Sequence, residues 1–238
     1  MHIGILQADE VRPEFQKRFG DYPEMFETLL RRESASSLRF STYRIQQYHY
    51  PASLEACDAF LITGSRNSVY EESDWIRRLG EYVVRLHQAR KKLVGICFGH
   101  QLIAQVLGGK TERANQGWAV GVQNTRVIEP QHWMIPGMGS FNLISSHQDQ
   151  VLALPERAIV VAGSEFCPIG GFTIDDHILT FQGHPEFTRE YSSTLIEMRR
   201  ELLGESCYRQ GLASLSESTH ERLVARWILQ FFGINPGP

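Results

Sequence analysis

The first hundred residues alternate short apolar runs with stretches whose apolar positions recur every three or four residues. His2–Gln7 is such a run and predicts a buried first strand. The polar stretch 8–22 predicts a loop, and Pro23 then opens a helix to about Arg32. Residues 38–45 alternate well enough for a second strand, and residues 58–63 form a third that ends in Gly64-Ser65. Ser73 or Asp74 caps a helix to about Arg90, with Ile76, Leu79, Val83 and Leu86 at helical spacing. A fourth strand covers 93–96, and the helix after Cys97 stops at Gly108-Gly109. Strand and helix in this rhythm predict an α/β fold, a three-layer, doubly wound and mostly parallel sheet with helices on both faces. Ligands of such sheets bind beyond the carboxyl ends of the strands, where Gly64-Ser65 and Cys97 both fall.

From Thr111 the rhythm changes. Residues 118–127, 140–145, Ala158–Gly163 and Gly171–Ile174 read as shorter strands separated by turns, a small antiparallel extension. Residues 178–182 are a further buried strand that runs into Gly183-His184-Pro185-Glu186. Thr188 caps a helix to about Leu203; a polar segment with Cys207 and Gly211 follows, and a last amphipathic helix covers 217–232. With no linker, repeat or low-complexity segment, residues 1–238 read as a single domain, its C-terminal helices occupying about 188–232.

Composition narrows the class. A net charge of −3 and the absence of any long Lys/Arg cluster argue against nucleic acid as a partner. No apolar run is long enough to span a bilayer, and the N-terminus reads as a strand rather than a signal peptide. Cys57, Cys97, Cys167 and Cys207 form no Cys-x-x-Cys pair, which points to reduced thiols in a cytoplasmic protein rather than disulfides or a zinc site. The sequence carries no metal-ligand cluster and no cofactor signature, so no cofactor is expected.

The candidate chemistry lies in Gly95-Ile96-Cys97-Phe98-Gly99-His100-Gln101. Gly-x-Cys-x-Gly between a strand and a helix is the cysteine form of a nucleophile elbow, whose glycines admit a tight turn. The following helix directs its free N–H groups and positive dipole end toward the sulfur, which favours a nucleophilic thiolate. Such a nucleophile needs a base and a group that orients the base. His184 closes a buried strand on the same sheet edge, and Glu186, two residues on, faces the same way in extended backbone.

The elbow and the His184-Pro185-Glu186 turn, 87 residues apart (184 − 97), together resemble the class I (triad-type) glutamine amidotransferase family over nearly the whole chain. The resemblance implies a flavodoxin-like fold in which Cys97 attacks the side-chain carbonyl of glutamine, His184 carries the proton and Glu186 orients His184. Residues 62–65 (ITGS) resemble the family's oxyanion loop, with Ser65 where many members have glycine. Backbone N–H groups of Ser65 and Phe98 would then hold the oxyanion, beside Gly64. Residues 145–151 (SSHQDQV) resemble the segment that holds the amino and carboxylate groups of glutamine. That implies substrate contacts at Ser146, His147 and Gln148, and at Gln101. The later motifs look most like the free-standing GMP-synthase-like and γ-glutamyl peptidase branch.

Three functions follow from these residues. The first is a cysteine hydrolase of γ-glutamyl amide bonds, in glutamine or a γ-glutamyl peptide. The second is a glutaminase subunit that donates ammonia to a separate synthase. The third is a non-catalytic, flavodoxin-like binding or regulatory protein, weakened by the lack of Gly-x-Gly-x-x-Gly after the first strand. His147 is read as positional rather than chemical, Asp149 as either a substrate contact or a turn former, and His100 as facing the packing. Trp118, Trp133 and Phe141 are read as packing, and Cys57, Cys167 and Cys207 as structural.

Overall fold

The computed structural model describes residues 1–237. In chain order β1 (His2–Gln7), α1 (Pro13–Phe19), α2 (Tyr22–Glu33), β2 (Arg39–Arg44), β3 (Ala59–Ile62), α3 (Asp74–Gln88), β4 (Lys92–Ile96) and α4 (Phe98–Val106) form the first half. After them come β5 (Lys110–Arg113), β6 (Ala119–Val127), β7 (Ser140–His147), β8 (Asp149–Ala153), β9 (Ala158–Gly163), β10 (Gly171–Ile174) and β11 (Ile178–Phe181). Four helices close the chain: α5 (Arg189–Met198), α6 (Arg200–Leu203), α7 (Glu205–Ser214) and α8 (Glu221–Phe231).

Nine strands form one sheet in the order β2-β1-β3-β4-β11-β10-β9-β6-β7. From β2 to β11 the pairing is parallel, and from β10 to β7 it is antiparallel. β5 and β8 make a separate antiparallel pair. Strand alternation divides the core between two faces. Ile3, Ile5, Ala59, Leu61, Val94 and Ile96 face α2 and α8, where Phe26, Leu30, Trp227 and Ile228 are buried. Leu6, Phe60, Ile62 and Leu93 face α3 and α4, against Ile76, Leu79, Val83, Leu86 and Ile103. The helical spacing read in the sequence is therefore the buried stripe of α3. Trp133 and Phe141 pack in the core on the α8 face, as expected.

Four expectations need correction. The segment 8–22 is not all loop, since Pro13–Phe19 forms α1; only Phe15 and Phe19 anchor it, too few for a periodic signal. The helix read over 188–203 keeps its Thr188 cap, which accepts Tyr191 N–H at 3.1 Å, but breaks at Arg199 into α5 and α6. The polar segment around Cys207 and Gly211 is a helix, α7, that packs on β6. Gly211 suits that contact because a Cβ there would lie 2.6 Å from Val120 Cγ2. The last helix begins at Glu221 rather than 217, because residues 214–217 are still turning and His220 N–H bonds to Asn142 O at 2.8 Å.

Candidate active site

Strand β4 delivers the elbow. Cys97 sits at φ 51° and ψ −99°, a left-handed conformation that costs a non-glycine residue about 1–3 kcal/mol. Its N–H bonds to Phe181 O at 2.9 Å, so the neighbouring strand β11 holds the turn in place. The flanking glycines serve close approach rather than dihedral freedom. A Cβ on Gly95 would lie 2.6 Å from Ile103 Cδ1 and 2.7 Å from the Gly99 carbonyl. A Cβ on Gly99 would lie 2.7 Å from Ile62 O. The N–H of Phe98, first residue of α4, has no intrahelical acceptor and stands beside the sulfur-bearing residue. The Phe98 side chain leaves the site and stacks on Trp75 at 5.4 Å.

His184 follows β11 by three residues. Its N–H bonds to Ile144 O at 2.8 Å, which bridges it to β7. Glu186 Oε1 accepts a hydrogen bond from His184 Nδ1 at 2.7 Å, and both side chains are almost wholly buried. Burial by itself lowers the His184 pKa. The negative charge of Glu186, and then attraction and a hydrogen bond to Cys97, outweigh it and raise the value to about 10. The ring is thus held as an imidazolium at neutral pH, between the sulfur and the carboxylate. Phe187 stacks flat against it, with centroids 3.9 Å apart. At the Cε1 edge of the ring a Cβ on Gly64 would come within 2.8 Å of His184, so only glycine fits there.

A cleft of about 660 Å³ opens over these groups. Gly64, Ser65, Cys97, Gln101, Ser146, His147, Gln148 and His184 all line it, while Glu186 lies behind His184. Of the candidate catalytic, oxyanion and substrate residues, Phe98 and Glu186 are the two whose side chains do not line the cleft. Gln101 Nε2 donates to Asp149 O at 2.8 Å and to Gln182 Oε1 at 3.0 Å, which fixes the amide. His147 Nδ1 bonds to Asp149 O at 3.1 Å; a carbonyl can only accept, so Nδ1 carries the proton. Burial, with the charge of His184, lowers the His147 pKa to about 4 against the hydrogen bond to Asp149, so the ring is neutral. His100 is fully buried, its Nδ1 2.8 Å from Thr180 Oγ1 and its pKa lowered to about 3 by burial first, so it is packing as expected.

Sequence reasoning passed over several groups. Gln182 Nε2 donates to Cys97 Sγ at 3.5 Å. Its signal lay in the strand period, since Gln182 stands two residues before His184 and faces the same side. Asp149 is more than a turn former: its side chain accepts from Ser68 Oγ at 2.5 Å and from Tyr70 OH at 3.0 Å, tying the Ser65 loop to β8. Trp118 packs against Val120, Ile196 and Leu203, as read, and also lines the cleft beneath Arg199. No local pattern announces the long-range contacts of Asp149 and Trp118. Among the described residues no group of three or more His, Cys, Asp or Glu side chains comes together as a metal site. Among the same residues no helix is long and apolar enough to cross a membrane.

Comparison with known proteins places this architecture. Gamma-glutamyl peptidase 3 of Arabidopsis thaliana is 33% identical, over 87% of this chain and 84% of its own. Gamma-glutamyl peptidase 2 of the same plant is 35% identical, over 81% of this chain and 79% of its own. A glutamine amidotransferase crystal structure from Thermotoga maritima superposes with a TM-score of 0.79 at 19% identity, covering 98% of this chain and 99% of that one, and so shares the fold. The model of the class I glutamine amidotransferases matches residues 22–199. The chain belongs to the class I glutamine amidotransferase family.

Proposed function

We propose that the protein is a cysteine-dependent γ-glutamyl hydrolase, cleaving the γ-glutamyl amide bond of a γ-glutamyl peptide or of glutamine. The observation that carries this reading is the left-handed Cys97 at the elbow, facing a buried His184 that Glu186 holds charged. In the first half-reaction the Cys97 sulfur attacks the side-chain carbonyl carbon. The carbonyl oxygen becomes an oxyanion in reach of the Ser65 and Phe98 N–H groups, donors of a type worth about 3 kcal/mol each. His184 gives its proton to the departing nitrogen, and the carbon–nitrogen bond breaks to leave a γ-glutamyl thioester and a free amine or ammonia. In the second half His184 takes a proton from water, the hydroxyl adds to the thioester carbon, and the carbon–sulfur bond breaks to release glutamate and return the Cys97 sulfur beside a protonated His184. Glu186 keeps the ring oriented throughout.

The relatives named γ-glutamyl peptidases favour the peptide substrate, and so does a cleft that extends past Ser65 and Arg66 to Arg199 and Leu202. The test is product release by the purified protein from glutathione and from L-glutamine, with Cys97→Ser beside each. The reading expects thiol-dependent glutamate release, faster from glutathione. Full activity in Cys97→Ser overturns it. Silence on both substrates that ends when a synthase is added supports an ammonia-donating subunit instead.

A further inference from the structure

We infer that Arg199 forms a carboxylate subsite in this cleft, binding a carboxylate of the substrate away from the scissile bond. The inference rests on the γ-glutamyl reading above and deepens it.

The cleft holds three arginines, and two are already committed. Arg66 grips Asp9 through Nε at 2.8 Å and Nη2 at 3.0 Å, and also donates to Glu10 O at 2.9 Å. Arg12 lies 3.8 Å from Glu14. Arg199 differs. Among the described residues no carboxylate stands within ion-pair distance of it, and its one side-chain hydrogen bond runs from Nη1 to the neutral Ser146 Oγ at 2.7 Å. A guanidinium has five N–H donors in a planar fork, so most of this one remains unused. The group is half-buried and stands 5.8 Å from the centre of the Trp118 ring, which supports its plane. The next residue shows what an ordinary surface arginine does here: Arg200 pairs with Glu205 at 2.9 Å and covers Tyr208.

Position adds to charge. Arg199 stands at the junction of α5 and α6, where its backbone N–H closes the last turn of α5 and its side chain turns toward β7. Ser146 ties it to the end of β7, beside His147 on the wall that also carries Gln101 and Cys97. A planar, unpaired cation fixed on an aromatic face within a substrate cleft is built for a bidentate carboxylate. Substrates of the proposed class supply two sources. Every γ-glutamyl compound has an α-carboxylate, and glutathione has a second on its glycine.

Binding separates a ligand role from a structural one. Titration calorimetry on the Cys97→Ser protein, with and without Arg199→Met, would use L-glutamine, glutathione and the glycine ethyl ester of glutathione. Methionine keeps the packing on Trp118 and removes the charge. The expected result is a glutathione Kd weakened roughly 10- to 100-fold, an unshifted thermal midpoint and partial recovery in Arg199→Lys. Equal weakening for all three ligands assigns the α-carboxylate. Weakening for glutathione alone, with the ester already poor, assigns the glycine carboxylate. Binding that is indifferent to Arg199→Met overturns the inference and leaves the γ-glutamyl reading standing. Failure of the Cys97→Ser protein to bind any of the ligands overturns both.

Discussion

Gly64 is the glycine that packs directly against His184, and Gly64→Ala turns that contact into a measurable loss. The added methyl would meet His184 Cε1 at 2.8 Å, against an ordinary contact of 3.4 Å or more, so the ring must move at least 0.6 Å (3.4 − 2.8). Retreat within the ring plane is limited, because Glu186 holds Nδ1 at 2.7 Å and Phe187 confines the ring face at 3.9 Å. The same methyl is 3.7 Å from Cys97 Cβ, a normal contact, so the strain falls on the histidine alone. Overpacking of this size costs about 1–3 kcal/mol, part of which the stiffer unfolded chain of alanine offsets. Displacing a proton carrier by a large fraction of an ångström costs up to about 100-fold in rate. The expected outcome is kcat for glutamate release down roughly 10- to 100-fold, while the thermal midpoint falls by only a few degrees. Gly64→Ala with wild-type kcat would refute the placement of His184 as the working proton carrier.

Three further perturbations test other parts of the account. Glu186→Gln removes the leading charge that holds His184 protonated. Because the folded pKa lies above the ordinary 6.5, that stabilisation is complete below 6.5 and lost as pH rises through about 10. The variant should therefore lose both its activity and its excess stability at lower pH than the wild type, and coincident alkaline limbs in kcat/KM profiles would count against the pairing. Gln182→Leu removes the donor to Cys97 Sγ and the acceptor for Gln101. It should lower kcat/KM by roughly tenfold with unchanged circular dichroism, and an undiminished rate would show the contact to be idle. Gly121→Ala tests the docking of α7: Gly121 has φ 76°, and a Cβ would fall 2.1 Å from Ser214 Oγ and 2.4 Å from Gly211 O. A loss of about 2 kcal/mol or more by urea unfolding is expected, and an unmoved midpoint would contradict the close packing of β6 on α7.

The parts legible in the sequence are those with a local signature. Buried strands such as Ala59–Ile62 and Ile178–Phe181 are short apolar runs, and α3 carries its stripe at helical spacing. The elbow at Cys97 and the turn at His184 declare themselves through glycines and proline at set offsets, and the structure brings them to one sheet edge. What local pattern could not supply was contact across the chain. Arg199 reaches Ser146 over 53 residues and Asp149 reaches Ser68 over 81, so neither partner could be chosen before the fold was known. Helix α1 was missed because two phenylalanines in seven residues leave no period, and α7 because Gly211 sits where a side chain would have marked the buried stripe. The resemblance to the family named the elbow, His184 and Glu186, but it gave no role to Gln182, Arg199 or Trp118.

The central claim is a covalent γ-glutamyl thioester on Cys97, and rapid acid quenching of the enzyme during turnover, followed by peptide mass analysis, tests it most directly. With glutathione or glutamine as substrate, the account predicts a glutamyl adduct on the peptide that contains Cys97, absent from Cys97→Ala and discharged by hydroxylamine to the hydroxamate. Steady hydrolysis without such an adduct, or hydrolysis that survives Cys97→Ala, would contradict it.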